Sequence, residues 1–186
     1  HNCIDPIMIG AQLLTGLQQI VSRKCDPKIP TVLSFGHFEA IGATNIIPEE
    51  VYMEGTFRTF DEVWRAEAHE KMVKLAEGIA DSMGATCEFE VRKGYPFLIN
   101  EPGITEASRA YAEDYLGKDK VVELDLWPAA EDFSYYSQEI SACFYRLGTG
   151  NKAKGIQSAV HTPTFDIDEE ALKISIGLMS YIAFRY

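Results

Sequence analysis

Histidine is scarce in this chain: among 186 residues there are four, His1, His37, His69 and His161. A metal site needs at least three protein ligands. Four dispersed imidazoles exclude a self-contained histidine cluster. Cysteine is equally sparse. Cys3, Cys25, Cys87 and Cys143 are widely spaced and none belongs to a C-x-x-C pair, which argues against a zinc ribbon and against a disulfide framework. Four reduced thiols, and with them a cytoplasmic compartment, are the expectation. Positive charge is in deficit. Lys and Arg number 17 against 28 Asp and Glu, a net charge of -11, which disfavours nucleic acid or an anionic membrane as partner. No apolar run approaches the roughly 20 residues that cross a bilayer. The chain opens at His1 without an initiator Met, so we expect a start that was removed or lies upstream, and no targeting signal can be judged.

What is present is the composition of an ordinary globular protein, 46% hydrophobic and 24% charged. Asp5-Pro6 is an N-cap with proline at the first helical position, and Ile9, Leu13, Leu17 and Ile20 recur at helical spacing, predicting a helix over about 6–23. Thr31 to Phe38 and Val51 to Thr59 read as strands. In the second, Val51, Met53 and Phe57 share one face and Tyr52, Glu54, Thr56 and Arg58 the other. Asp61 caps a long helix with an apolar stripe of Val63, Met72, Leu75, Ala76, Ile79 and Met83, ended by Gly84. Cys87, Phe89 and Val91 alternate with charged residues and predict one more strand. The order α-β-β-α-β becomes a split β-α-β-β-α-β ferredoxin-like unit if one strand is added in front.

Asn100-Glu101-Pro102-Gly103 reads as a boundary between a first domain, 1–99, and a second, 100–186. The second is expected to alternate: a helix from Ile104 to Gly117, a strand at Val121-Leu124, a short helix at Glu131-Gln138, a strand at Cys143-Leu147 and a final helix from Glu169 capped by Asp166 or Asp168. It has too few strands for a sheet of its own. The fold class expected is therefore α/β, with an α+β first domain.

Five positions could carry chemistry, and each has an ordinary reading beside the functional one. Arg58 can bind a carboxylate through its planar fork, or be a solvated strand arginine paired with a nearby glutamate. Asn45, before Ile46-Ile47-Pro48, can donate to a developing oxyanion, or be a turn asparagine that tolerates a left-handed backbone or bonds its own chain. Glu131 and Asp132 can orient a ligand, or simply favour a helix dipole. His161 can ligate a metal, or be a hydrogen-bonded loop histidine. His69 reads as solvated. Gly148-Thr149-Gly150 permits close backbone approach but lacks the lysine of a phosphate loop.

Taken together, His1-x-x-x-Asp5-Pro6-Ile7, Asn45-Ile46-Ile47-Pro48, Gly55-Thr56-Phe57-Arg58-Thr59, Glu131-Asp132-Phe133-Ser134 and His161-Thr162-Pro163-Thr164-Phe165-Asp166 resemble, in order and spacing, the dinuclear-metal amidohydrolase and aminoacylase peptidase family, close to its hippurate hydrolase and N-acyl-amino-acid amidohydrolase branch. The resemblance implies that 1–99 is a ferredoxin-like lid and dimerisation domain lacking its first strand. It implies that 100–186 is the C-terminal part of a zinc-peptidase-like α/β catalytic domain, with the half bearing most metal ligands absent. Carried over, His161 matches a ligand of a pair of divalent ions, zinc or manganese. Arg58 matches the residue holding the substrate carboxylate, Asn45 a lid residue at the active site, Glu131 an acid near the substrate pocket, and His1 the second histidine of a His-x-x-x-Pro-His motif. The family's chemistry is attack of metal-bound water on an amide carbonyl, with a glutamate shuttling protons. Substrates would be N-acyl amino acids or small peptides, and the lid would make a homodimer. These 186 residues alone are expected to be inactive. Two departures from the pattern are Ser141-Ala142 where Pro-Gly is usual, and Ile41-Gly42-Ala43-Thr44 where Gly-Gly is usual. A ferredoxin-like dimerisation or ligand-sensing module without catalysis is the competing reading, and such a module has no need of the His161 segment.

Overall fold

The computed structural model describes residues 1–186. The chain is mixed α/β and divides into two compact units. One comprises His1–Phe97 with Pro128–Glu131, the other Leu98–Trp127 with Asp132–Tyr186.

In the first unit, helix α1 (Pro6–Gln19) starts where Asp5 Oδ1 accepts the Ile7 and Met8 N–H groups at 3.0 and 3.2 Å, with Pro6 in the first turn. A π-helical turn, Ile20–Lys24, extends it. All four residues of the predicted stripe, Ile9, Leu13, Leu17 and Ile20, are buried. Strands β1 (Thr31–Glu39) and β2 (Tyr52–Thr59) pair antiparallel, Thr31 opposite Thr59 and Glu39 opposite Tyr52, with a bulge between Phe35 and His37. Helix α2 (Glu62–Ser82) begins under Asp61, whose Oδ1 accepts the Trp64 N–H at 2.7 Å, and ends where Gly84 adopts φ +81°.

The face that α2 buries is Trp64, Ala68, Met72, Ala76 and Ala80, packed on α1 and on the inner residues Leu33, Phe35, Met53 and Phe57 of the hairpin. Val63, expected in that stripe, is 72% exposed; the stripe starts one residue later because Trp64 turns inward and donates Nε1–H to Thr31 Oγ1 at 3.1 Å. The small alanines let the two helices close. Leu17, 1% exposed, is the largest apolar side chain wholly enclosed. Leu17→Ala should therefore lower the stability of this unit by about 3 kcal/mol, the usual range for a leucine truncation that leaves a cavity. Urea unfolding followed by Trp64 fluorescence reads it, and a loss within 0.5 kcal/mol of zero would contradict the packing.

Residues 85–97 return along α2 without forming the predicted strand. Ala85, Cys87 and Phe89 do pack on the core and alternate with exposed partners, so the period-2 pattern is real. No neighbouring strand pairs with them, because the sheet consists of β1 and β2 alone. Their path is fixed by side chains of α2: Arg65 Nη1 donates to Tyr95 O at 2.6 Å, and Glu62 Oε1 accepts the Phe97 N–H at 3.2 Å.

In the second unit, α3 (Pro102–Leu116) and α5 (Glu170–Arg185) pack together, with the six-residue α4 (Ser134–Glu139) apart from them. Glu101 caps α3 by accepting the Ile104 N–H at 2.6 Å. Asp114 receives Tyr181 Oη and, at 3.2 Å, Arg185 Nη1. The predicted strands 121–124 and 143–147 are absent. The latter spends backbone groups on a side chain: Asn100 donates to Phe144 O at 2.9 Å and accepts its N–H at 2.7 Å. With no sheet to cover, Val122, Leu124 and Leu126 stand 58–72% exposed.

Candidate functional site

Arg58 sits on β2 opposite Val32, on the solvent face that the alternation predicted. The expected glutamate partner is not there. Glu54, four residues back on the same face, instead accepts from Tyr52 Oη at 2.7 Å and lies 3.3 Å from His37 Nδ1. These two neighbours, the hydroxyl first, hold its carboxyl below the usual range. Arg58 donates Nη1–H to the carbonyl of Pro128 at 2.6 Å and makes no ion pair within the chain. Its backbone partner restrains the side chain while the positive charge stays uncompensated, the state in which a guanidinium accepts an external carboxylate. Segment Pro128–Glu131 belongs to this unit. Arg58 and the stretch bearing Glu131 are thus brought together, the one such grouping among the five residues.

Asn45 occupies a two-residue connection. Ala43 N–H and Ile46 N–H bond reciprocally to Ile46 O and Ala43 O at 3.0 and 3.1 Å. Gly42 is needed beneath it, since a Cβ there would lie 2.6 Å from Ile46 O. Both ordinary readings of Asn45 fail: its φ is negative, and its carboxamide bonds no backbone group. The residue is exposed at the tip of this bridged turn. His1 is exposed, just ahead of the α1 cap.

His161 lies in the second unit, exposed, at the apex of a turn-rich loop, and is the single non-glycine residue with positive φ, +65°. That left-handed backbone costs a β-carbon-bearing residue roughly 1–2 kcal/mol. The imidazole makes no hydrogen bond, so it is not the satisfied loop histidine of the ordinary reading. Ser158 and Thr164 hydroxyls meet across the loop at 2.8 Å, and Thr162 Oγ1 donates to Ala159 O at 2.7 Å.

Below the loop lies a group that sequence reasoning missed. Asp168 Oδ2 accepts from Asn151 Nδ2 at 2.5 Å, and Oδ1 accepts from Lys154 Nζ at 2.7 Å. Asn151 before all else, then Lys154, bring its carboxyl down to about 2. The legible signal was Asn151 itself, an N-cap residue ahead of a turn closed by Gly155 at φ +76°. Asp168 was expected only to cap α5, and its bond to the Glu170 N–H is the longer one, 3.3 Å.

His69 is not the solvated residue expected from the sequence. It is half-buried on α2, edge-on to Phe57 at 5.7 Å, and burial with Arg65 nearby lowers its pKa.

No group of three or more His, Cys, Asp or Glu side chains converges in the chain. His161 offers an uncommitted imidazole, but these residues by themselves do not make a metal site.

The order of elements and these segments accord with a hydrolase fold, and comparison with known proteins identifies it. The chain belongs to peptidase family M20/M25/M40, whose model matches residues 5–185. It is 32% identical over 187 residues to thermostable carboxypeptidase 2 of Saccharolobus solfataricus, covering all of this chain and 47% of that one. It is 35% identical to an N-acetylcysteine deacetylase of Bacillus subtilis, covering 98% and 46%. The crystal structure of Bacillus subtilis YXEP, a dinuclear metal-binding peptidase of the M20 family, superposes with a TM-score of 0.74 at 32% identity, over 97% of this chain and 46% of that one. The chain spans about half the length of the curated relatives it matches.

Proposed function

We propose that this chain is part of a metal-dependent amidohydrolase that cleaves the amide bond of N-acyl amino acids or small peptides, in the hippurate hydrolase and N-acyl-amino-acid amidohydrolase branch. The observation that carries the reading is Arg58, a guanidinium tethered by one backbone bond and left without a carboxylate of its own. In this reading Arg58 receives the substrate carboxylate, which fixes the scissile amide at one distance from the anchor. Asn45 offers its unpaired amide to the reacting carbonyl. Glu131, three residues beyond the Arg58 anchor, is the catalytic acid at the pocket, and His1 borders the substrate. His161 serves as one ligand of two divalent ions, zinc or manganese, whose other ligands lie outside these residues. Residues 1–99 act as lid and homodimerisation domain and 100–186 as the C-terminal portion of the catalytic domain, in a cytoplasmic enzyme.

The metal-loaded full-length protein should release amino acid from N-acetyl and N-benzoyl substrates, and a chelator should stop it. The 186 residues with added zinc or manganese should show no turnover. Amidase activity in the 186 residues alone, or none in the loaded full-length protein, would overturn the reading.

A further inference from the structure

The loop that carries His161 has no core of its own. From Gln157 to Asp166 every residue except Ser158 is exposed. Burial therefore does not determine its shape; hydrogen bonds do, those across the loop (Ser158 to Thr164, Thr162 to Ala159) and those at its two feet. One foot is the turn Asn151–Ile156, closed by reciprocal backbone bonds of 2.8 and 2.9 Å. The other is Asp168, at the entrance to α5. The two feet are joined three times: Asp168 N–H to Thr149 O at 2.8 Å, Asn151 Nδ2 to Asp168 Oδ2, and Lys154 Nζ to Asp168 Oδ1.

Helix capping does not account for this arrangement. A cap needs one acceptor for the first N–H groups of the helix. Here the short, charge-assisted bonds point away from α5, and the capping bond is the weakest of the set. Asn151 is used at both ends of its amide, its Oδ1 taking the Ala153 and Lys154 N–H groups while its Nδ2 reaches Asp168. The Asp168 side chain is 14% exposed while its partner Lys154 is 54% exposed, so the covered end of the pair is the carboxylate. Closing the feet holds His161 at φ +65°, a conformation the residue would leave in a free loop.

We propose that Asp168 is a positioning residue for His161, pinning Asn151 and Lys154 and so fixing both feet of the loop whose apex presents the imidazole. The proposal rests on the reading of His161 as a metal ligand. Outer partners that orient a metal-binding histidine are typically worth 10- to 100-fold in metal affinity. Here the support acts through the backbone of the loop instead of through the second ring nitrogen.

The test uses full-length protein stripped and reloaded with zinc, its affinity read by competition with a chromogenic chelator. Asp168→Ala should bind zinc about 10- to 100-fold more weakly. Amide hydrogen exchange across 157–166 should quicken at least about tenfold, with α3 unaffected. Asp168→Asn, which keeps an acceptor for Glu170 and Asn151 but discharges the Lys154 contact, should fall between. Lys154→Met, which removes one tether and leaves the cap untouched, serves if Asp168→Ala does not fold, and should also weaken binding. A role in capping alone predicts a lower melting temperature with unchanged zinc affinity, and that result would overturn the proposal. Wild-type protein that binds no zinc would sink the metal reading of His161 instead. The exchange measurement would still decide the clamp, since unchanged exchange in 157–166 refutes it.

Discussion

His161→Gly should abolish turnover by the full-length enzyme and, at the same time, make the protein more stable by about 1 kcal/mol. The two effects have separate causes in one residue. A left-handed backbone is nearly free for glycine and strained for every residue with a Cβ, and His161 is the one such residue in the chain. Strain of this kind persists where the side chain is needed. Under the ligand role proposed for His161, its removal should exceed the roughly 100-fold losses that outer-shell changes produce. His161→Ala is the control, because it discards the imidazole and keeps the strain. Denaturant unfolding of metal-free protein should rank glycine above both histidine and alanine, while both variants lose activity. Equal stability of the glycine and alanine variants would remove strain from the account, and retained turnover would remove the ligand.

The second large effect is expected at Arg58. Arg58→Ala should reduce kcat/KM for N-acyl amino acids by about 10- to 150-fold, the equivalent of the roughly 1.5–3 kcal/mol assigned to hydrogen bonds with charged groups. The loss should be carried by KM. It should shrink to a few-fold on the matching substrate whose carboxylate is replaced by a carboxamide, because nothing negative then needs a partner. Arg58→Lys should recover only part, since an ammonium keeps the charge but not the fork. A loss of equal size on the two substrates would show that Arg58 supports the hairpin or the Pro128 segment and does not bind the carboxylate.

How much of this was legible depended on whether neighbouring residues decided the matter. The α1 stripe of Ile9, Leu13, Leu17 and Ile20 was readable because one helix face and one cap suffice to define it. The outward face of β2 was readable for the same reason, since alternation alone sets it. Strand status at 85–91 was not readable. It depends on a ladder partner, and period-2 burial survives without one. The strand expected at 143–147 failed through Asn100, 44 residues away, whose side chain occupies the Phe144 backbone. In the candidate site, motif order singled out Arg58, Asn45, Glu131 and His161 as candidates. It could not show that Arg58 bonds Pro128, or that Asp168 reaches back to Asn151, because both are long-range contacts through side-chain atoms.

The bond between Arg58 and Pro128 also bears on how the chain matures during synthesis. The stretch through Phe97 contains α1, the hairpin and α2, and can assemble its core as soon as it leaves the ribosome. Arg58 cannot be tethered then, because its acceptor is made 70 residues later. Closing so long a loop carries an entropic cost that grows only as the logarithm of its length, so the separation in sequence does not prevent the contact. Its timing is the consequence. The anchor is set only after α3 has been made, and until then the first unit is folded around an arginine that is still unrestrained.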